Sequence, residues 1–322
     1  MRFFLSGSLA YDHIMDFPDA FEKHILPEKI HTLSVSFMVR TLRVNYGGTV
    51  GNLAYGLASL GVRPTILATA GNDFTTYARW LRAHGVSTVS IALDRTTKTA
   101  AAYIMTDVRD NQITGFYPGA MQRAYPKSLD TIVRSPLQSL LVLSAGNPTD
   151  MVRFARQANR KRIPYLFDPG QQLPQFSATQ LRVFLHGAAG VALNDYETAL
   201  VAQRTGLTPS RLLKRGLGFF ITTLGPKGSH LHTAQGLVRI AVVPPKKLVD
   251  PTGAGDAYRA GLLAGIGKGY DLSTAARLGS TLAAYAVERY GTQTYTVTWS
   301  SLTRRYHRTF GRLPAPSIPS IR

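Results

Sequence analysis

Short apolar runs alternate with stretches of helical period along most of the chain. Runs at 3–7, 65–70, 140–144, 164–167, 190–193 and 219–223 are almost continuously apolar, the pattern of strands buried on both faces. Stretches at 50–60, 75–84, 151–159, 195–204 and 274–290 instead space their apolar residues three and four apart, which predicts helices with one buried stripe. Strand and helix taken in turn define an α/β fold, with a mostly parallel central sheet flanked by helices in three layers. In such sheets ligands bind at the carboxyl ends of the strands, where the loops 168–171 and 250–256 fall.

Two segments interrupt the alternation. Residues 31–46 read as strand with no helix partner, and 98–117 holds two β runs joined around Asp107–Gln112, where Asp and Asn suit a hairpin turn. They form either a small separate sheet or extra strands on the edge of the main one. Residues 311–322, rich in Pro and Ser, read as a loose tail.

Composition narrows the classes. With 322 residues and 44% apolar content the chain can bury a large core. It has no cysteine, which excludes disulfides and thiolate metal sites. No apolar run approaches the ~20 residues that span a bilayer, so the expectation is a cytoplasmic protein with no membrane partner. A surplus of 37 Lys and Arg over 18 Asp and Glu gives a net charge of +19. Its basic clusters at 153–162, 211–215 and 304–308 sit at helical spacing among apolar residues and read as solvated faces. Nucleic acid is therefore disfavoured as a partner, while the positive field would attract a polyanion such as ATP.

The densest chemistry lies at 249–261, Val-Asp-Pro-Thr-Gly-Ala-Gly-Asp-Ala-Tyr-Arg-Ala-Gly. Gly253, Ala254 and Gly255 carry almost no side chain, so their N–H groups can converge on an anion at the positive end of a helix. Asp256, in the first helical turn, is placed to take a proton from a hydroxyl. Together they read as phosphoryl transfer. The chain lacks both a G-x-x-x-x-G-K-[ST] and a G-x-G-x-x-G after a strand, which disfavours P-loop kinases and dinucleotide-binding enzymes. His230 and His232 share a strand face, but no third ligand lies near them in sequence.

A second cluster, Gly47-Gly48-Thr49-Val50-Gly51-Asn52, precedes a helix rich in small residues. Paired glycines admit a ligand close to the main chain, and Asn52 offers both a donor and an acceptor for hydroxyls. Asp12, after the first strand, can accept hydrogen bonds from two vicinal hydroxyls. Asn194 with Glu197 has the spacing of a helix capping box.

The 249–261 and 47–52 segments resemble the two signatures of the PfkB, or ribokinase-like, family of carbohydrate and nucleoside kinases, with Asp250-Pro251-Thr252 in place of Asp-Thr-x and Tyr258 in place of Phe. The resemblance implies a ribokinase-like core at 1–11, 47–96 and 120–310, a small β-sheet lid at 12–46 and 97–119, and a tail at 311–322. It implies that Asp256 is the catalytic base, that Gly253, Ala254 and Gly255 form the anion hole, and that Asp12, Gly47, Gly48 and Asn52 bind the acceptor. It further implies that Asn194, Thr223, Gly225 and Gly228 bind ATP, and that Glu197 organises Mg²⁺ through water. The stretches 24–27, 36–37, 111–121 and 167–171 resemble those of adenosine and broad-specificity nucleoside kinases within the family. On that reading Phe37 and Phe116, on lid strands, wall a purine, and aromatic stacking is worth ~1–3 kcal/mol per base. The expected activity is transfer of the ATP γ-phosphoryl to the 5′-hydroxyl of a nucleoside, adenosine first. The alternatives are a kinase of a free sugar such as ribose or fructose, and an inactive ribokinase-like binding protein. Oligomeric state stays open.

Overall fold

The near-continuous apolar runs become the parallel strands of an eight-stranded sheet in the computed structural model, which describes residues 1–25, 31–32, 34–109 and 111–317. From one edge the strands Thr65–Leu67, Arg2–Ser6, Ser139–Ser144, Tyr165–Asp168, Gly190–Asn194 and Phe219–Thr223 are all parallel. The hairpin of Ser229–Thr233 and Gly236–Ile240 closes the far edge in antiparallel sense.

Alternate residues of these strands enter two different cores, as the period of two requires. Phe3, Leu5, Leu140, Val142 and Ile221 pack under the helices Thr49–Ser59, Ala254–Gly267, Leu272–Ala286 and Trp299–Phe310. Phe4, Leu141, Leu143, Phe167 and Phe220 pack on the other face under Pro148–Lys161, Ala178–Gly187 and Asp195–Thr205. This is the three-layer arrangement expected.

Several boundaries differ from the expectation. The run 65–70 splits after Leu67, and Thr69–Ala70 pairs separately with Ala92–Leu93. The helix expected over 274–290 runs from Leu272 to Ala286, its first turn capped by the Asp271 side chain. Among the described residues of 31–46, strand begins only at Thr41, in the element Thr41–Gly47. Strand Ser229–Thr233 has one buried apolar residue, Leu231, and helix Trp299–Phe310 buries only Leu302 and Tyr306 among its side chains. A strand that buries a single apolar residue leaves no apolar run in the sequence.

The interrupting segments form a separate four-stranded sheet in the order Thr41–Gly47, Ala10–Asp16, Ala100–Thr106, Gln112–Tyr117. Its register places Asn45, Asp12, Ala102 and Phe116 opposite one another, hence on one face. The next row, Tyr46, Tyr11, Ala101 and Tyr117, lies on the other. There the rings of Tyr46 and Tyr11 lie 4.7 and 5.8 Å from that of Tyr77 on helix Thr75–Ala83, which joins the sheet to the core. The turn near 107–112 is shaped by Asp107, which accepts from the N–H groups of Arg109 and Asn111. Leu26, Pro27 and Asp110, and the tail residues 318–322, lie outside the described residues. No helix among the described residues is long and apolar enough to cross a membrane.

Candidate active site

Helix Ala254–Gly267 starts from Gly253, whose φ of 75° is a left-handed conformation that suits glycine. The N–H of Ala254 turns back to Pro251 O, 3.1 Å away. Among the described residues no acceptor meets the N–H groups of Gly253, Gly255 or Asp256, so these three are the donors left open at the turn, with Ala254 engaged in forming it. Asp250 braces the loop: its carboxylate accepts from Thr252 N at 2.8 Å and from Gly291 N at 2.9 Å. Sequence reasoning treated Asp250 only as a departure from a motif and missed that function.

Asp256 accepts from Asn52 Nδ2 at 2.8 Å, which joins the two glycine-rich clusters. Burial pushes its carboxyl above the usual range, against the pull of Arg259 and the Asn52 amide. Asn52, expected to meet hydroxyls, uses its oxygen to accept from Gln293 Nε2 and one N–H on Asp256, which leaves one N–H for a ligand. Asp12 stands on the face of the small sheet opposite Tyr11, against Gly47, where a Cβ would overlap its carboxylate. Burial first, then the charges of Asp256 and Asp250, push Asp12 up to about 7. Gly48 caps helix Thr49–Ser59 with φ 84°.

At the end of a central strand, Asp168 has Arg259 Nε 2.5 Å from its Oδ1 and Ser144 Oγ 3.1 Å from its Oδ2. Both partners of this ion pair are buried. Burial alone would lower Arg259, but the carboxylates of Asp168, Asp256 and Glu197 hold it above its ordinary value. One buried guanidinium thus serves three carboxylates beside the glycine turn. Its Nη1 lies where a Cβ of residue 255 would fall, which explains the glycine there.

On the far side, Asn194 and Glu197 form the capping box: Glu197 N donates to Asn194 Oδ1 at 2.7 Å, and Asn194 N to Glu197 Oε2 at 2.9 Å. One Glu197 oxygen remains, a carboxylate donor of the type that suits Mg²⁺ held through water. Thr223 ends its strand, and Gly225 and Gly228, both with positive φ, shape the turn to the edge hairpin. These groups all lie at the carboxyl ends of adjacent parallel strands.

Phe116 shares the face of Asp12 and is 45% exposed, free to meet a ligand. Phe37 is not on a strand. It lies in an irregular stretch, and its ring sits edge-on to Phe17 and Phe21 at 4.9 and 5.3 Å. Strand period cannot place a ring whose position comes from clustering with aromatics on other segments.

The fold, the glycine turn and the carboxylate beside it define a sugar-kinase architecture. The model of the pfkB family of carbohydrate kinases matches residues 8–299, and the chain belongs to that family; it is a phosphotransferase acting on an alcohol group. The nucleoside kinase of Methanocaldococcus jannaschii is 31% identical over 286 residues, covering 87% of this chain and 92% of that protein. The structure of Burkholderia thailandensis nucleoside kinase in complex with inosine superposes with a TM-score of 0.87 at 35% identity, over 97% of this chain and 99% of that one. The ligand-free form of the same enzyme superposes with a TM-score of 0.78, at 36% identity over 94% and 99%.

Proposed function

We propose that the protein transfers the γ-phosphoryl group of ATP to the 5′-hydroxyl of a purine nucleoside. The observation that carries this reading is that two carboxylates from different elements lie close enough to act on each other's charge: Asp12 on the small sheet, in the same row as Phe116, and Asp256 at the head of the core helix. Asp12 accepts from the ribose diol, Phe116 offers a ring to the base, and the 5′-oxygen then faces Asp256. Asp256 takes the hydroxyl proton as that oxygen bonds to the γ-phosphorus and the bond to the ADP oxygen breaks. The N–H groups of Gly253, Gly255 and Asp256, with the helix dipole behind them, stabilise the phosphoryl oxygens. Asn194, Thr223 and the Gly225–Gly228 turn hold the nucleotide. Glu197 would hold Mg²⁺ through water, and the ion would offset the charge of the ATP phosphates.

The named nucleoside kinases among the relatives support this acceptor, and the form that fits better is the one bound to inosine. ATP consumption with adenosine, inosine, ribose and fructose as acceptors, with Mg²⁺ present, tests it. The nucleosides are expected to turn over and their products to carry a 5′-phosphate. A preference for ribose or fructose, or no turnover with any acceptor, overturns it.

A further inference from the structure

The base does not hold its position alone. Four buried or half-buried groups connect it to the root of the small sheet: Asn52 Nδ2 donates to Asp256 Oδ2 at 2.8 Å, Gln293 Nε2 donates to Asn52 Oδ1 at 3.0 Å and to Tyr77 OH at 2.6 Å, and Tyr77 OH donates to Gly47 O at 2.8 Å. The directions are mutually forced. The Tyr77 hydroxyl gives its one proton to a carbonyl, so its oxygen must accept, and only the nitrogen end of Gln293 can donate to it. That nitrogen also meets Asn52, so Asn52 must present oxygen to Gln293 and nitrogen to Asp256. Tyr77 and Gln293 are almost fully buried, and a Cβ at Gly51 would occupy the place of the Tyr77 hydroxyl. Gly47 is the last residue of a strand of the small sheet and packs against the Asp12 carboxylate.

We infer that Gln293 and Tyr77 are positioning residues that fix the Asn52 amide with its nitrogen toward Asp256 and couple the base to the acceptor-binding sheet. The relay leaves Asp256 Oδ1 open for the substrate hydroxyl, and it ties the orientation of the base to the strand that carries Gly47. Without Gln293 the Asn52 oxygen loses its donor. The amide is then free to turn and set oxygen against the carboxylate, which disfavours the ionised base. The other groups facing Asp256 are Arg259 on its own helix, Asp12 from the small sheet, Asp168 from the central sheet and Tyr295 from the segment after Gln293. They are unchanged in every variant below.

This inference rests on the proposed kinase reading, and the test separates the two. With inosine as acceptor, Gln293→Leu is expected to lower kcat on the order of tenfold, the scale of one misdirected hydrogen bond to a charged group. The KM for ATP should stay constant and the acid limb of the kcat profile should move to higher pH. Tyr77→Phe, which keeps the ring and so the packing, is expected to produce the same pattern at roughly two- to threefold. A loss of kcat with an unmoved acid limb, or kcat within twofold of the wild type in both variants, overturns the relay. A readout without substrate is the ¹³C carboxyl titration of Asp256, assigned through Asp256→Asn: an upward midpoint in Gln293→Leu supports the relay and an unchanged one overturns it. A wild type inert toward inosine overturns the acceptor assignment alone, because that titration still decides the relay.

Discussion

Arg259 Nε lies 2.5 Å from Asp168 Oδ1, so the helix that carries Asp256 is pinned to the end of a central strand by a buried ion pair. Removing one partner of such a pair leaves an uncompensated charge and costs about 3–5 kcal/mol. Arg259→Leu should therefore lower Tm sharply, and Arg259→Leu with Asp168→Asn should recover most of the loss. Denaturant unfolding of the single and double variants measures this; additive losses would mean that the pair does not act as a unit.

Asp256→Asn keeps a side chain able to accept from Asn52 and so should fold normally. Loss of a general base costs about 10²–10⁴-fold, and kcat should fall on that scale while calorimetry still shows nucleoside binding. Turnover near the wild-type rate would remove Asp256 as the base.

Asp12 supplies a pH dependence with a definite sign. Burial and its acidic neighbours raise its carboxyl to about 7 in the folded protein, well above the ~3.9 of an unfolded Asp. The folded state therefore binds this proton more tightly. That contribution is complete below pH ~4 and is lost as the pH rises through about 7. Between pH 5 and 8 the Tm of the ligand-free protein should fall more steeply than that of Asp12→Asn, because only the wild type must ionise a buried group. Parallel Tm profiles for the two proteins would show that Asp12 is not so perturbed. Nucleoside KM should fall over the same interval, as the ionised carboxylate becomes available to the diol.

Asp250 holds two backbone donors, Thr252 N and Gly291 N, on either side of the glycine turn. Asp250→Ala leaves both without that acceptor, at a cost of about 1–3 kcal/mol for each that stays buried. Lower Tm and lower kcat together are expected, with kcat not restored at temperatures well below the transition. Full activity in the cold would limit Asp250 to a stabilising role.

The parts legible in the sequence are those whose cause is local. Parallel strands such as Ser139–Ser144 are buried on both faces and show it as unbroken apolar runs. The turn at Gly253 announces itself because a positive φ at the head of a helix calls for glycine. Gln293 gave no signal: its partners Asn52 and Tyr77 lie 241 and 216 positions away, and one buried amide leaves no period. Arg259 resembles any charged residue on a helix until the fold brings Asp168 against it. Phe37 was misplaced because aromatic residues suit strands and aromatic clusters alike.

The row of Asn45, Asp12, Ala102 and Phe116 also limits how this chain can change. Adjacent strand residues face opposite sides, so inserting or deleting one residue before Asp12 within Ala10–Asp16 would exchange it with the Tyr11 side and turn the carboxylate away from Asp256. Length variation among relatives that keep this chemistry should therefore collect in the connection between Asp16 and Thr41, where one residue more or less leaves strand parity untouched.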